Sequence, residues 1–144
     1  MRALVTLTVL VSWGCLPAAD WAGRWAGNVA VDTGGVPRVY GGGVSITAAG
    51  RFDLVAEPVD GRGFSFGLQA FQVEPGAASF TTPVTLTLEA APPGDCTRSL
   101  ELASAAASRD GEAMFGVATG RLHSDCAGDD PTLDFSLTLS AARE

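Results

Sequence analysis

The amino-acid sequence predicts an all-β protein, a small antiparallel up-and-down barrel of eight strands, and three observations carry that reading. Apolar and polar residues alternate with period two along most of the chain beyond Asp20. Turn residues cut the chain at the spacing of an antiparallel protein. No window of helical periodicity survives the Gly and Thr content. The alternation alone also fits a β-sandwich, or an outer-membrane barrel whose apolar face turns to lipid. Against the membrane barrel stand an aromatic content of 8%, the lack of two aromatic girdles, and a cysteine pair.

Eight strands follow in order: Arg24 to Asp32, Arg38 to Ala48, Arg51 to Ala56, Gly63 to Glu74, Phe80 to Ala90, Arg98 to Ser108, Glu112 to Ser124 and Thr132 to Ala142. The last has the clearest pattern, with Leu133, Phe135, Leu137 and Leu139 against Asp134, Ser136, Thr138 and Ser140. Val84, Leu86 and Leu88 against Thr85, Thr87 and Glu89 is nearly as regular. The Ala-rich run from Ala103 to Ala107 is read as strand, because Leu100 and Leu102 alternate with Ser99 and Glu101 just before it. Ala49-Gly50, Pro75-Gly76 and Asp110-Gly111 are tight hairpin turns. Thr33 to Pro37, Glu57 to Arg62, Ala91 to Asp95 and Asp125 to Pro131 are longer loops. In an up-and-down meander these two sets fall at opposite ends, so one end is sealed and the looser end is the expected mouth.

The chain has 144 residues, 47% of them hydrophobic, enough for one domain with a core, expected over residues 19–144. A net charge of -7 offers no basic patch for phosphates, which excludes nucleic acid and disfavours anionic membrane surfaces. All 9 basic residues are Arg, and Ala and Gly abound, a usage typical of a GC-rich bacterial genome. Met1-Arg2 followed by the apolar run Ala3 to Trp13 reads as a signal peptide over residues 1–18, too short to span a bilayer. Two exits compete: cleavage before Ala19, or a lipobox ending at Gly14-Cys15 with Cys15 lipidated. The expected location is therefore the bacterial cell envelope, periplasmic or at the surface, with membrane contact only through a lipid on Cys15.

A hairpin about Asp110-Gly111 pairs positions whose numbers add to about 222, as those of Cys96 and Cys126 do. The two cysteines then face each other at the mouth, and export makes a disulfide the default. Closing that loop of about 30 residues stabilises by roughly 3 to 4 kcal/mol on the chain-entropy estimate. Cys15 is left without a partner, which lipidation or removal would resolve.

Gly23-Arg24-Trp25, at the start of the first strand, resembles the Gly-x-Trp signature of lipocalins and related calycin barrels. The resemblance implies an eight-stranded barrel whose closed end is plugged by Trp25. It further implies that an Arg near the end of the last strand, here Arg143, covers the indole. It extends to strand count, order and these end residues; a Thr-Asp-Tyr-type motif and a helix after the last strand are missing. Small bacterial barrels that inhibit proteases open in a similar way, so carrier and inhibitor both remain implied.

No catalytic constellation emerges. His123, Ser124 and Asp125 are consecutive, and strand neighbours point to opposite faces, so they cannot form a relay. Zinc on Cys96, Cys126 and His123 competes with the disulfide. Asp125, Asp129 and Asp130 crowd one loop without the spacing of a calcium loop. Tyr40-Gly41-Gly42-Gly43 lacks the ending of a phosphate loop and reads as strand flexibility or a bulge. The expectation is a non-enzymatic exported binding protein without cofactor or metal. Its interior would be lined by Phe52, Leu54, Phe64, Phe66, Leu86, Leu88, Phe115, Phe135 and Leu137 above Trp25, and hold a small apolar ligand. The alternative is a protein-binding envelope module or inhibitor acting through the loops around Asp60, Asp95 and Asp129.

Overall fold

The computed structural model describes residues 19–91 and 93–144; the expected signal segment, with Cys15, lies outside them. Among the described residues the chain forms nine strands and no helix. They are β1 (Gly23–Asp32), β2 (Arg38–Ile46), β3 (Arg51–Val59), β4 (Arg62–Val73), β5 (Ala77–Phe80), β6 (Val84–Ala91), β7 (Arg98–Asp110), β8 (Ala113–Ser124) and β9 (Thr132–Arg143). All pairings are antiparallel. β3, β2, β1, β9, β8 and β7 lie side by side, and pairing of β3 with β4 closes the sheet. β5 and β6 share one place, each pairing with β4 on one side and β7 on the other. The result is a closed barrel of eight staves, one of them broken, which rules out the sandwich.

The break corrects the single strand expected from Phe80 to Ala90. Thr81-Thr82-Pro83 interrupts it, and proline, having no N–H, cannot carry a central ladder. The expected loop from Glu57 to Arg62 is also corrected. β3 runs on to Val59, which pairs with Arg62, and only Asp60 and Gly61 turn the chain, with φ of 53° and 76°. Positive φ at both central residues is the hairpin turn whose twist matches the flanking strands, and Asp-Gly is its favoured sequence.

Closure demands strong coiling of β1 and β2, which the glycines of β2 permit. A Cβ on Gly42 would stand 2.0 Å from the Val55 carbonyl oxygen, and one on Gly43 1.9 Å from that of Trp25. Both are distances that no side chain tolerates.

The apolar face turns inward. In β9, Phe135, Leu137, Leu139 and Ala141 are buried while Asp134, Ser136, Thr138 and Ser140 are exposed, the reverse of a lipid-facing strand. β8 departs from expectation: Met114 and Ala118 point inward, and Phe115 points out, 52% exposed. The cause is register, since Phe115 sits opposite Ser108 and Ser140, both on the outer face.

Phe135→Ala should cost about 3 to 5 kcal/mol, as usual for a core aromatic. Asp134→Ala, next to it but outward and paired only with Arg121 at the surface, should cost no more than about 0.5 kcal/mol. Denaturant titration of both variants measures the contrast, and equal effects would contradict the inward alternation of β9.

Candidate functional site

The two ends of the barrel are chemically different. At one end the chain enters across the opening, with Trp21 and Trp25 both buried. Each indole is tied to a backbone carbonyl: Trp21 Nε1–H donates to Glu74 at 2.8 Å, and Trp25 Nε1–H to Trp21 at 2.9 Å. Trp21 then leans on Phe52, with 5.8 Å between ring centroids, and Phe52 meets Phe80 edge-on at 5.0 Å.

Above this plug lie two arginines. The Arg143 guanidinium stands 4.7 Å from the Trp25 ring, and that of Arg109 5.8 Å from Trp21. Arg143 Nη1 donates to the Ala22 carbonyl at 3.3 Å, and both arginines donate to the carbonyl of Asp20. Arg143 Nε lies 3.1 Å from Glu112, an ion pair without hydrogen-bond geometry. The sealing of Trp25 by Arg143 follows the lipocalin resemblance, whereas Trp21 and Arg109 escaped the sequence reading. Their signal was available: Trp21 stands just ahead of the first strand, four residues before Trp25, and Arg109 flanks the tight turn Asp110-Gly111 at the same end.

The opposite end is open. A cavity of about 400 Å³ enters it, walled by Val31, Tyr40, Phe64, Leu100, Leu122 and Phe135, and rimmed by Arg38, Arg62, Arg98 and Asp129. Tyr40 meets Phe64 edge-on at 5.2 Å. Of the six aromatic residues expected to bind a ligand, Phe64 and Phe135 line this cavity. Phe52 and Phe66 lie deeper, beside a smaller void of about 60 Å³. Trp25 is the plug at the far end, and Phe115 faces solvent, so the lining expected of it is corrected.

One side of the mouth is pinned. Cys96 and Cys126 form the disulfide, joining the loops before β7 and after β8. Thr97 N–H donates to the Asp125 carboxylate at 2.5 Å, and Cys126 N–H to Ser124 Oγ at 3.1 Å. Ser124 Oγ–H in turn donates to Asp129 at 2.7 Å, and Arg98 Nη2 lies 2.8 Å from the same carboxylate oxygen. The Ser124 hydroxyl and the Arg98 guanidinium hold the Asp129 carboxyl below its ordinary pKa, with partial burial opposing them.

These contacts also occupy the residues considered above for a relay or a metal. His123 lies on the outside, Nε2 3.0 Å from Glu101 and Nδ1 3.3 Å from Thr132 Oγ1, while Ser124 serves Asp129, so no relay assembles. The sulfurs of Cys96 and Cys126 and a carboxylate oxygen of Asp125 lie within 4.8 Å of one another, but sulfurs bonded to each other offer no thiolate to zinc. Asp129 is committed to Arg98, which leaves the loop without a converging calcium cage.

No protein-family model, curated protein or solved structure matches the chain. What it shares with lipocalins is architecture: eight antiparallel staves closed in up-and-down order, consistent at that level with a lipocalin-like barrel.

Arg143→Met, which keeps an apolar stem and loses the guanidinium, should lower stability by about 1 to 2 kcal/mol. The Tm of the variant checks this, and an unchanged Tm would show that the cap is ornamental. Because the Asp129 pKa is depressed on folding, its stabilisation is present above the unfolded carboxyl pKa and lost as pH falls through the folded value. Wild-type stability should therefore drop below about pH 4 more steeply than that of Asp129→Asn. Denaturant titrations of both proteins between acid and neutral pH measure the difference, and superimposable profiles would contradict it.

Proposed function

We propose that the protein is a non-enzymatic exported binding protein that holds a small apolar ligand in the mouth of a lipocalin-like barrel. The observation that carries this reading is the cavity of about 400 Å³ at the open end. Its volume falls within the usual range for small-molecule sites, roughly 300 to 1,000 Å³. Its aromatic and aliphatic walls favour transfer of an apolar group from water, at about 25 cal/mol per Å² removed from solvent. The wall is held by the barrel itself, and one lip by the disulfide and the Arg98–Asp129 pair, so little ordering remains for a ligand to impose.

Export to the bacterial cell envelope, with or without a lipid on Cys15, is part of the same proposal and rests on the leader-like first residues. A second reading, an envelope module or inhibitor that grips a protein through its rim, draws support from Val36, 95% exposed in the loop between β1 and β2.

An apolar fluorescent probe such as N-phenyl-1-naphthylamine should bind the purified oxidised protein and brighten. Leu122→Trp, which fills the cavity from its wall, should weaken binding at least tenfold, and Val117→Trp, on the outer face, should not. Equal loss from both variants, or no binding at all, would move the rim-binding reading to the front.

A further inference from the structure

The open end combines an apolar interior with three arginines along one arc of its rim. Arg38, Arg62 and Arg98 are the first residues of β2, β4 and β7, and all three line the mouth cavity. Their positions in the alternation are inward ones, two residues before Tyr40, Phe64 and Leu100. In a chain of net charge -7, whose surface charges mostly lie on outer faces and turns, three cations at the lip of an apolar cavity stand out.

Their partners differ. Arg98 is neutralised by Asp129 at 2.8 Å. Arg38 reaches Asp60 at 3.6 Å in an exposed pair that water screens well. Among the described residues Arg62 makes no ion pair, and its charge is felt at Asp129, whose pKa it helps to lower. Asp130 also lines the lip, so guanidiniums and carboxylates are balanced there, and what distinguishes Arg62 is that it is the lip cation no carboxylate contacts among the described residues. A guanidinium keeps its charge at any physiological pH and offers a planar set of donors that matches two oxygens of one anionic group.

We infer that the ligand is an anionic amphiphile, its apolar part among Phe64, Leu122 and Phe135 and its carboxylate or phosphate on Arg62, with Arg38 in support. This rests on the proposal that the mouth cavity binds an apolar ligand, and adds the polarity and orientation of that ligand: tail inward, head at the lip.

The test compares dodecanol, dodecanoate, dodecyl phosphate and dodecyltrimethylammonium as displacers of the naphthylamine probe, below their micellar concentrations and at low salt. Dodecanoate or dodecyl phosphate should bind roughly tenfold more tightly than dodecanol, the advantage shrinking as salt screens the lip, and the cation should bind more weakly than either. Whichever anion binds better tells carboxylate from phosphate. Arg62→Gln should bring the ratio of anion to alcohol affinity close to one, Arg62→Lys should keep most of it, and Arg24→Gln, at the opposite end, should leave it as in the wild type. If dodecanol binds and the anions bind no more tightly, the cavity reading stands and the anionic assignment is overturned. If none of the four binds, both are overturned.

Discussion

Pairing of the first strand with the last is the constraint on which the other features depend. β1 and β9 run antiparallel from Trp25 beside Arg143 to Asp32 beside Ser136, and this contact turns a sheet with two free edges into a barrel with none. It also sets which residues meet at each end. With Trp25 and Arg143 in register, the indole and its cation meet without any loop to bring them together, and the final residue hydrogen-bonds back to Arg24. The tight turns Thr47 to Gly50 and Glu74 to Ala77 fall at that end, and so does the plug.

With one end filled by two tryptophans, the interior has a floor, and the side chains above it decide how much space remains. Phe52, Phe66 and Phe80 pack the lower half. Higher up, Leu88, Leu100 and Leu122 are joined by Phe64 and Tyr40, which meet edge-on, and a lumen of about 400 Å³ stays open between them. The disulfide and the Arg98–Asp129 pair act on the same stretch of rim, so the loop after β8 is fixed by a covalent bond, an ion pair and several hydrogen bonds.

Much of this was legible in the sequence, and what was not has physical reasons. The alternation of β9 specified its buried face, because large apolar and small polar residues share no positions there. In β8 the inward positions include Gly116 and Gly120, which carry no hydropathy signal, so Phe115 and Val117 competed for the inside and register with β7 and β9 decided. The disulfide followed from hairpin register together with the expected export. The broken stave could have been read from Pro83, and the turn at Asp60-Gly61 from its dipeptide, local signals that the expected strand and loop bounds passed over. The arginine lip was hidden because Arg38 and Arg98 stood only as strand starts and Arg62 as the end of a loop, and facing direction at a strand end depends on register that a bulge can shift.

The broken stave makes the wall unequal in time as well as in space. Between Ser65, the last β4 residue paired with β6, and Ala70, the first paired with β5, Phe66 to Gln69 have no ladder partner on that side among the described residues. β7 carries its own register shift directly across, between Leu102 and Ser104. Backbone held from one side opens at a lower free energy than backbone held from both. Slow fluctuations of the barrel therefore begin along this seam, beside Leu68 and Phe80, and amide protons there exchange with solvent long before those of β1 and β9.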